Sequence, residues 1–546
     1  MKKLILPVTF LLMAATAVKA QTVEIEKTYE LSKKTSKGTL LNASFDGSKY
    51  TLLYVTKGGF LKPAMFEIYD FDKDFNFISK TEDQLDFTQA KQKYSKAFSK
   101  RGANTPESFT RKWAWAGSNM FGTLEIETYA STYTWNWEAG GYVKNTVLLD
   151  KFKPKSEEGS KYRLIGQFTD GVSGDLICLV TYQQKIFDKE GKNGALDVAD
   201  TKLIRINMNG EIVKEKVIDN KYISSLVIQR TYSIPDPDND EETITKGCTF
   251  ILAPTNVWGK KLTQYENPNK AEFTYLQVNG NLDIEVNKTF VVPNPVWRID
   301  DVISADDTQN EVYLYGPAAE GKDAFWGDAI AGVKKFQAVQ LAKFSKGEMK
   351  YISNTNLDDM EKNYMQPPTQ KKSPEYRGRK FEILSYRIMP NSDFLIVGQN
   401  FEMKKDKNNN DYKKYTDVIV FHFDKDGRMK ANYGIDKLTK SDAGELVQMP
   451  TNMFLGEKDG SSYFLMREID GIGKGNRILT YARLGKITLN DKGITDLKLI
   501  GGVKEEPQYF LDENFPYLSS DADHKIVFFG ADKKGKNIWF SRVKLD

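Results

Sequence analysis

The chain has 546 residues, 12% aromatic and 28% charged, with 78 basic side chains against 74 acidic ones and a formal net charge of +4. Three of the lysines, Lys2, Lys3 and Lys19, fall in the first twenty residues, so the remainder is close to neutral and has no basic field of the kind that holds nucleic acid. Two histidines and two cysteines in so long a chain rule out a disulfide framework and argue against a zinc enzyme.

Residues 1–20 read as an export signal. Lys2 and Lys3 form a basic start, Leu4 to Ala17 an apolar run, and Val18-Lys19-Ala20 a small-residue cleavage site. The run is short for a membrane helix and contains Pro7, and no later segment is apolar for long enough to span a bilayer. The expectation is a secreted or periplasmic protein that does not span the membrane, folded as one domain over residues 21–546.

The segment "TVEIEKTYEL", Thr22 to Leu31, is strand-like and stands before the first repeat. Eight strongly apolar runs then follow, centred on Leu53, Ile126, Leu179, Leu252, Leu314, Ile396, Leu465 and Phe528. They recur at intervals of roughly 50–85 residues, as structural repeats do. Runs apolar on both faces predict strands buried on both sides.

Between these runs lie hairpins with turn residues at their tips. The tips are Asn76, Asn209-Gly210, Asn279-Gly280, Lys346-Gly347, Asp426-Gly427 and Lys492-Gly493, with a looser candidate at Gly159. Asn-Gly and Asp-Gly turns twist in the same sense as paired strands, which is why they mark hairpins. Each unit therefore predicts a weak strand, a polar turn, a buried strand, a variable loop and a hairpin, giving four antiparallel strands.

A four-stranded sheet with two apolar faces cannot stand alone in water, and stacking such sheets around an axis buries both faces. The pattern resembles β-propellers in general and matches no named propeller family. The predicted fold is all-β, a propeller of eight four-stranded blades with seven as the alternative and short helical insertions. The C-terminal "NIWFSRVKLD" ends after a third strand, so the N-terminal segment is expected to close the last blade.

Three insertions interrupt the repeat. Leu85 to Arg101 predicts a helix with Phe87, Ala90, Tyr94 and Ala97 or Phe98 on one face, to be packed on the rim or offered to a partner. Gly321 to Lys335 falls between two strands of one blade. Asn356 to Arg379 combines a short helix, Pro367-Pro368 and the basic run "KKSPEYRGRK".

Trp113, Trp115, Trp135 and Trp137 are the candidate binding residues. Alternate positions on a strand put both rings of each pair on one face, fit either for packing between blades or for stacking on a sugar or peptide. The acidic loop "PDPDNDEE" spaces Asp236, Asp238 and Asp240 as a calcium loop does but has Glu241 and Gly247 at the sixth and twelfth positions; "DKNNND", Asp406 to Asp411, fails similarly. Both are expected to be hairpin tips, so no cofactor is predicted and only a weak calcium site stays open.

The glycine run at Gly471, Gly473 and Gly475 opens no helix and reads as structural. His422 is expected to face a neighbour in an apolar strand, His524 to sit in a turn, and Cys178 and Cys248 to be buried, unbridged thiols. Asp300 and Asp301 form one adjacent carboxylate pair near a channel-facing strand; no catalytic residue is assigned. The favoured function is non-catalytic binding of a protein or glycan by a monomer, through loops at one end of the ring. The alternative is a hydrolase or lyase that uses carboxylates at the channel mouth, with calcium.

Overall fold

The computed structural model describes residues 21–546 apart from 60–61, 100–105, 120–122, 156–160, 184–199, 237–238, 257–264, 306–309, 322–323, 334–335, 407, 438–453, 459, 474–476, 501–508, 521–524 and 546. The export signal at 1–20, Gly159, Gly475 and His524 lie outside the described residues, as does Asp238 of the acidic loop. Among the described residues the chain is all-β, with short α-helices confined to the insertions.

The strands fall into seven sheets of three, four or five strands each, apart from one of nine. Six of them follow one another in chain order. The first runs Thr39–Phe45, Lys49–Gly59, Lys62–Asp72 and Phe77–Leu85, each strand antiparallel to the next. The second contains three strands, Ser108–Ser118, Leu124–Asn136 and Gly141–Phe152. The nine-stranded sheet consists of two groups, 454–499 and 509–545, joined at one residue pair, Thr480 with Leu511. The second group is completed by Gln21–Glu30, which runs antiparallel to Asn537–Leu545 with Gln21 opposite Leu545.

All eight apolar runs lie in the strands predicted for them, from Lys49–Gly59 around Leu53 to Lys525–Asp532 around Phe528. Their two-sided burial has a simple cause. In Leu176–Gln183, Cys178 and Val180 pack with Ala114, Ala116 and Ile126 of the second sheet. Ile177 and Leu179, on the opposite face, pack with Phe250 and Leu252 of the fourth. Sheet after sheet shares a core with its successor in the same way. The last group shares one with the first sheet, where Phe529 and Phe540 meet Tyr50, Leu52 and Phe71.

The turns hold with two substitutions of role. Lys346 and Gly347 both take left-handed φ, as do Gly210 and Gly427. In the first sheet, however, Phe75 and not Asn76 is left-handed, because Asn76 is drawn back by its amide to the Asp72 carboxylate. Leu282 takes the role expected near Gly280.

Two insertions are helical where predicted, the first as two short helices, Phe87–Lys93 and Ser95–Ser99, and the third contains a helix that the sequence reading did not place. Phe87–Lys93 starts at a capping box, Asp86 accepting from the Gln89 backbone while the Gln89 side chain accepts in return. Leu357–Lys362 is capped by Asn356, and Trp326–Gly332 occupies the third insertion. The basic run is tied down: Lys372 pairs with Asp417 at 2.7 Å and Arg377 with Glu402 at 2.9 Å. Cys178 and Cys248 are free and buried in different cores, and burial pushes both thiols up. Among the described residues no helix is long and apolar enough to cross a membrane.

Candidate functional site

The four tryptophans do not form one surface. Trp135 and Trp137 are 2% exposed and meet edge to face; Trp137 packs edge to face on Phe87 and Trp135 stacks on Phe98, both of the first helical insertion. Here the helix and the second tryptophan pair explain one another: its apolar face is covered by them. Trp113 is half-buried, stacked on Tyr129 at 4.4 Å, with its indole N–H donated to Ser131 and the Lys144 ammonium 5.1 Å over its ring. Trp115 alone lies open, 47% exposed, with its six-membered ring against the Cα of Gly117, where a Cβ would come within 2.6 Å of it.

The acidic stretches are hairpin tips. Asp236 pairs with Asn239 at the end of its hairpin. Asp406 spends one carboxylate oxygen on the backbone N–H groups of Asn408 and Asn410. Among the described residues no three His, Cys, Asp or Glu side chains converge as metal ligands do.

A more convergent arrangement surrounds Asp300 and Asp301, and it begins with a broken strand. The fifth sheet's first strand exists as two pieces, Val296–Trp297 and Asp301–Ser304, both paired with Glu311–Ala319. Between them the Arg298 carbonyl presses on Gly316 so closely that a Cβ there would lie 1.9 Å from its oxygen. Trp297 anchors the first piece, donating its indole N–H to the Gly316 carbonyl, and its own carbonyl accepts from Trp326 of the insertion helix. The break turns Arg298, Asp300 and Asp301 toward one side.

There Arg298 grips Asp300 with two N–H groups, at 2.8 and 3.3 Å. Burial raises the Asp300 pKa despite that partner, and the charges of Glu382 and Asp301 add to the effect. Asp301 accepts from Arg230 at 3.3 Å. Glu382 is held by Lys413 at 2.7 Å and by the Tyr415 hydroxyl at 2.8 Å. Its pKa is lowered: burial opposes ionisation, and the hydrogen bonds from Lys413 and Tyr415 overcome it. The Tyr415 hydroxyl is pushed up to about 12, by burial first and then by its carboxylate partner.

Two cavities of about 380 and 370 Å³ open here. Arg298, Asp300, Glu382 and Lys413 line the first, Arg230, Tyr232 and Thr243 the second, and Tyr386 belongs to both. The walls thus draw on edge strands of three successive sheets: Ser224–Asp236, Asp301–Ser304 and Phe381–Ile388. Tyr386 stands between the cavities, its ring 36% exposed and inclined to Tyr315 at 6.3 Å. Sequence reasoning singled out only Asp300 and Asp301 of this group. Arg230 is 71 residues from its partner Asp301, and no local pattern connects them.

No family model matches the chain, and no curated protein matches it. Among solved structures, a Synechocystis apocarotenoid oxygenase is similar with a TM-score of 0.29 at 8% identity, covering 79% of this chain and 88% of its own. A polysaccharide lyase, described as an ulvan lyase of family PL25, gives 0.26 at 10% identity over 78% and 90%. The NanB sialidase of Streptococcus pneumoniae gives 0.24 at 8% identity over 97% and 70%. Likeness at that level assigns no family and no activity.

Proposed function

We propose that this chain is an exported eight-bladed β-propeller that binds an elongated polar ligand, an oligosaccharide in class, across Tyr386. The blade count rests on the cyclic succession of shared cores and on the single residue pair that links the two groups of the nine-stranded sheet. Counting that sheet as one blade would give seven. Export to the periplasm or beyond rests on the sequence of residues 1–20.

The observation that carries the binding reading is the pair of cavities sharing one half-exposed tyrosine. Cations from Arg230, Arg298 and Lys413 alternate with the carboxylates of Asp300, Asp301 and Glu382, so donors and acceptors are both on offer. Each carboxylate is already neutralised, which favours hydrogen bonding to hydroxyls over attraction of a charged ligand. Tyr386 supplies a ring against which an apolar sugar face can rest.

Glycan and peptide arrays probed with residues 21–546, with and without calcium, followed by calorimetry on the hits, test this. Tyr386→Ala should weaken glycan binding at least tenfold and Arg230→Ala by less, with circular dichroism unchanged. Binding of peptides alone, or glycan binding indifferent to Tyr386, would refute it.

A second reading, a hydrolase or lyase, is favoured by one feature. Asp300 is shifted toward the acid form and Glu382 toward the carboxylate within one cavity, the division of labour that acid–base catalysis needs. Mass spectrometry of bound oligosaccharides would reveal cleavage, and Asp300→Asn should abolish it while leaving binding in place.

A further inference from the structure

The two cavities that meet at Tyr386 differ in chemistry. Five charged side chains line the first: Arg298, Asp300, Asp301, Glu382 and Lys413. The second has one, Arg230, and its wall is otherwise neutral. Ile234, Pro235, Val302 and Ala305 give it an apolar side, and Thr231 and Thr243 bring hydroxyls. Pro235, Ala305, Thr231 and Thr243 are exposed and Ile234 is half-buried, so these groups can be touched from outside. Strand ends put them there. Pro235 stands opposite Thr243 near the end of Ser224–Asp236, and Ala305 follows Asp301–Ser304, its backbone N–H given to the Glu311 carbonyl.

The one cation is underused. The Arg230 side chain is 53% exposed and gives one N–H to Asp301 at 3.3 Å. A guanidinium carries five, so donors are left at the mouth of the neutral cavity.

This combination narrows what can sit there. A bare hydroxyl gives up water against the apolar side without regaining all of its hydrogen bonds. A free amine is an ammonium beside the Arg230 cation, and a carboxylate has to compete with Asp301 for the same guanidinium. A neutral group fits if it offers a carbonyl to Arg230, an N–H to a threonine hydroxyl and a methyl to Ile234, Pro235 and Ala305. An acetamido group has all three.

We propose that the second cavity is the subsite for an N-acetylated sugar, so that the oligosaccharide crossing Tyr386 carries an acetamido group at its Arg230 end. The inference rests on the reading of the paired cavities as a glycan site and adds the substituent that the site selects. The acetamido form should bind about tenfold more tightly than the same sugar with a hydroxyl in that position. A single carbon in a fitted apolar pocket discriminates by roughly 10–200-fold, and the low end applies because this apolar side is partly exposed. The margin over the free amine should be larger.

Calorimetric titration of residues 21–546 with matched short oligomers tests it. The panel is glucose-, galactose- and mannose-configured, each member carrying an acetamido group, a hydroxyl or a free amine on the carbon next to the anomeric one. The expected order of affinity is acetamido, hydroxyl, amine. Ala305→Asp puts a carboxylate at an exposed position of this cavity and should reverse acetamido and amine, with the melting temperature unchanged. Ile234→Thr should narrow the margin of acetamido over hydroxyl to about twofold. Tyr386→Ala should weaken all members alike, and so reports on the site rather than on the subsite.

Three results would each overturn the inference and leave the glycan site standing: binding through Tyr386 with no preference for the acetamido form, a preference that Ala305→Asp leaves unaltered, or binding confined to glycans without the group, acidic ones included. Binding indifferent to Tyr386→Ala, or no glycan bound at all, would remove the site and the subsite together.

Discussion

In the fifth sheet a broken first strand delivers Arg298, Asp300 and Asp301 to a cavity as paired charges; in the second sheet the strand Ser108–Ser118 carries Trp113 half-buried and Trp115 on open surface. Both regions lie on the same kind of repeat, and from the sequence only the tryptophans were candidates for binding, the carboxylate pair being assigned no role. The difference is in what fixes the side chains. At the cavity, a glycine contact, a buried tryptophan and an insertion helix hold the backbone before any side chain acts. On the hairpin, cross-strand stacking and a hydrogen bond to Ser131 position Trp113, while the Trp115 ring rests against Gly117. A site built from the backbone outward is preorganised, whereas a surface aromatic is only available.

The comparison is broken most severely at Trp135, the buried member of the same hairpin. Trp135→Ala should cost about 3–5 kcal/mol in urea unfolding, since it empties the core shared with Phe87 and Phe98. Gly316→Ala should cost about 3 kcal/mol or more, because the Arg298 backbone has nowhere to retreat, and it should abolish ligand binding with the fold still present at low temperature. If Gly316→Ala instead leaves binding intact, the broken strand is not what builds the site.

Acid should separate the two regions next. His422, in the sheet that carries Glu382 and Tyr386, is buried with Nε2 2.8 Å from the Asp393 carboxylate, which also accepts from Lys430 at 2.7 Å. Burial lowers its pKa below the ordinary 6.5, outweighing the Asp393 partner. The unfolded chain therefore takes up a proton first as pH falls, so stability is full at neutral pH and declines below about 6.5 toward the depressed value. Urea midpoints at pH 7.5 and 5.5 should differ in the wild type and differ less in His422→Gln. At the small end, Arg230→Gln should change stability by less than about 1 kcal/mol, its ion pair being half-exposed. Trp115→Ala should stay within about 0.5 kcal/mol, which calorimetric melting resolves.

Much of the architecture was legible because two-sided burial leaves a mark in one strand alone: "LICLVTY" and "KIVFFG" are apolar at consecutive positions, which only a sheet covered on both faces requires. The pairing of the N-terminal segment was legible from a strand with no partner of its own. The division among the tryptophans was not, since Trp135 and Trp115 have the same alternation and differ only in what packs over them from residues 87–98. The cavity was half-legible. Asp300 and Asp301 stand side by side in "RIDD", but Glu382, Tyr386 and Lys413 arrive from another sheet, and charge pairing across sheets has no periodicity to read.

The pairing of Gln21 with Leu545 carries a consequence for how the molecule is made. The strand Gln21–Glu30 acquires its neighbour only when Asn537–Leu545 has been made, so the two segments stay unpaired through nearly the whole of synthesis. Closure is thereby the last pairing to form, and removal of residues 537–545 would unfasten Gln21–Glu30. The same proximity makes the chain suited to circular permutation: joining the ends and opening the exposed turn at Asp46 to Ser48 would leave every strand with its neighbours while abolishing the wait.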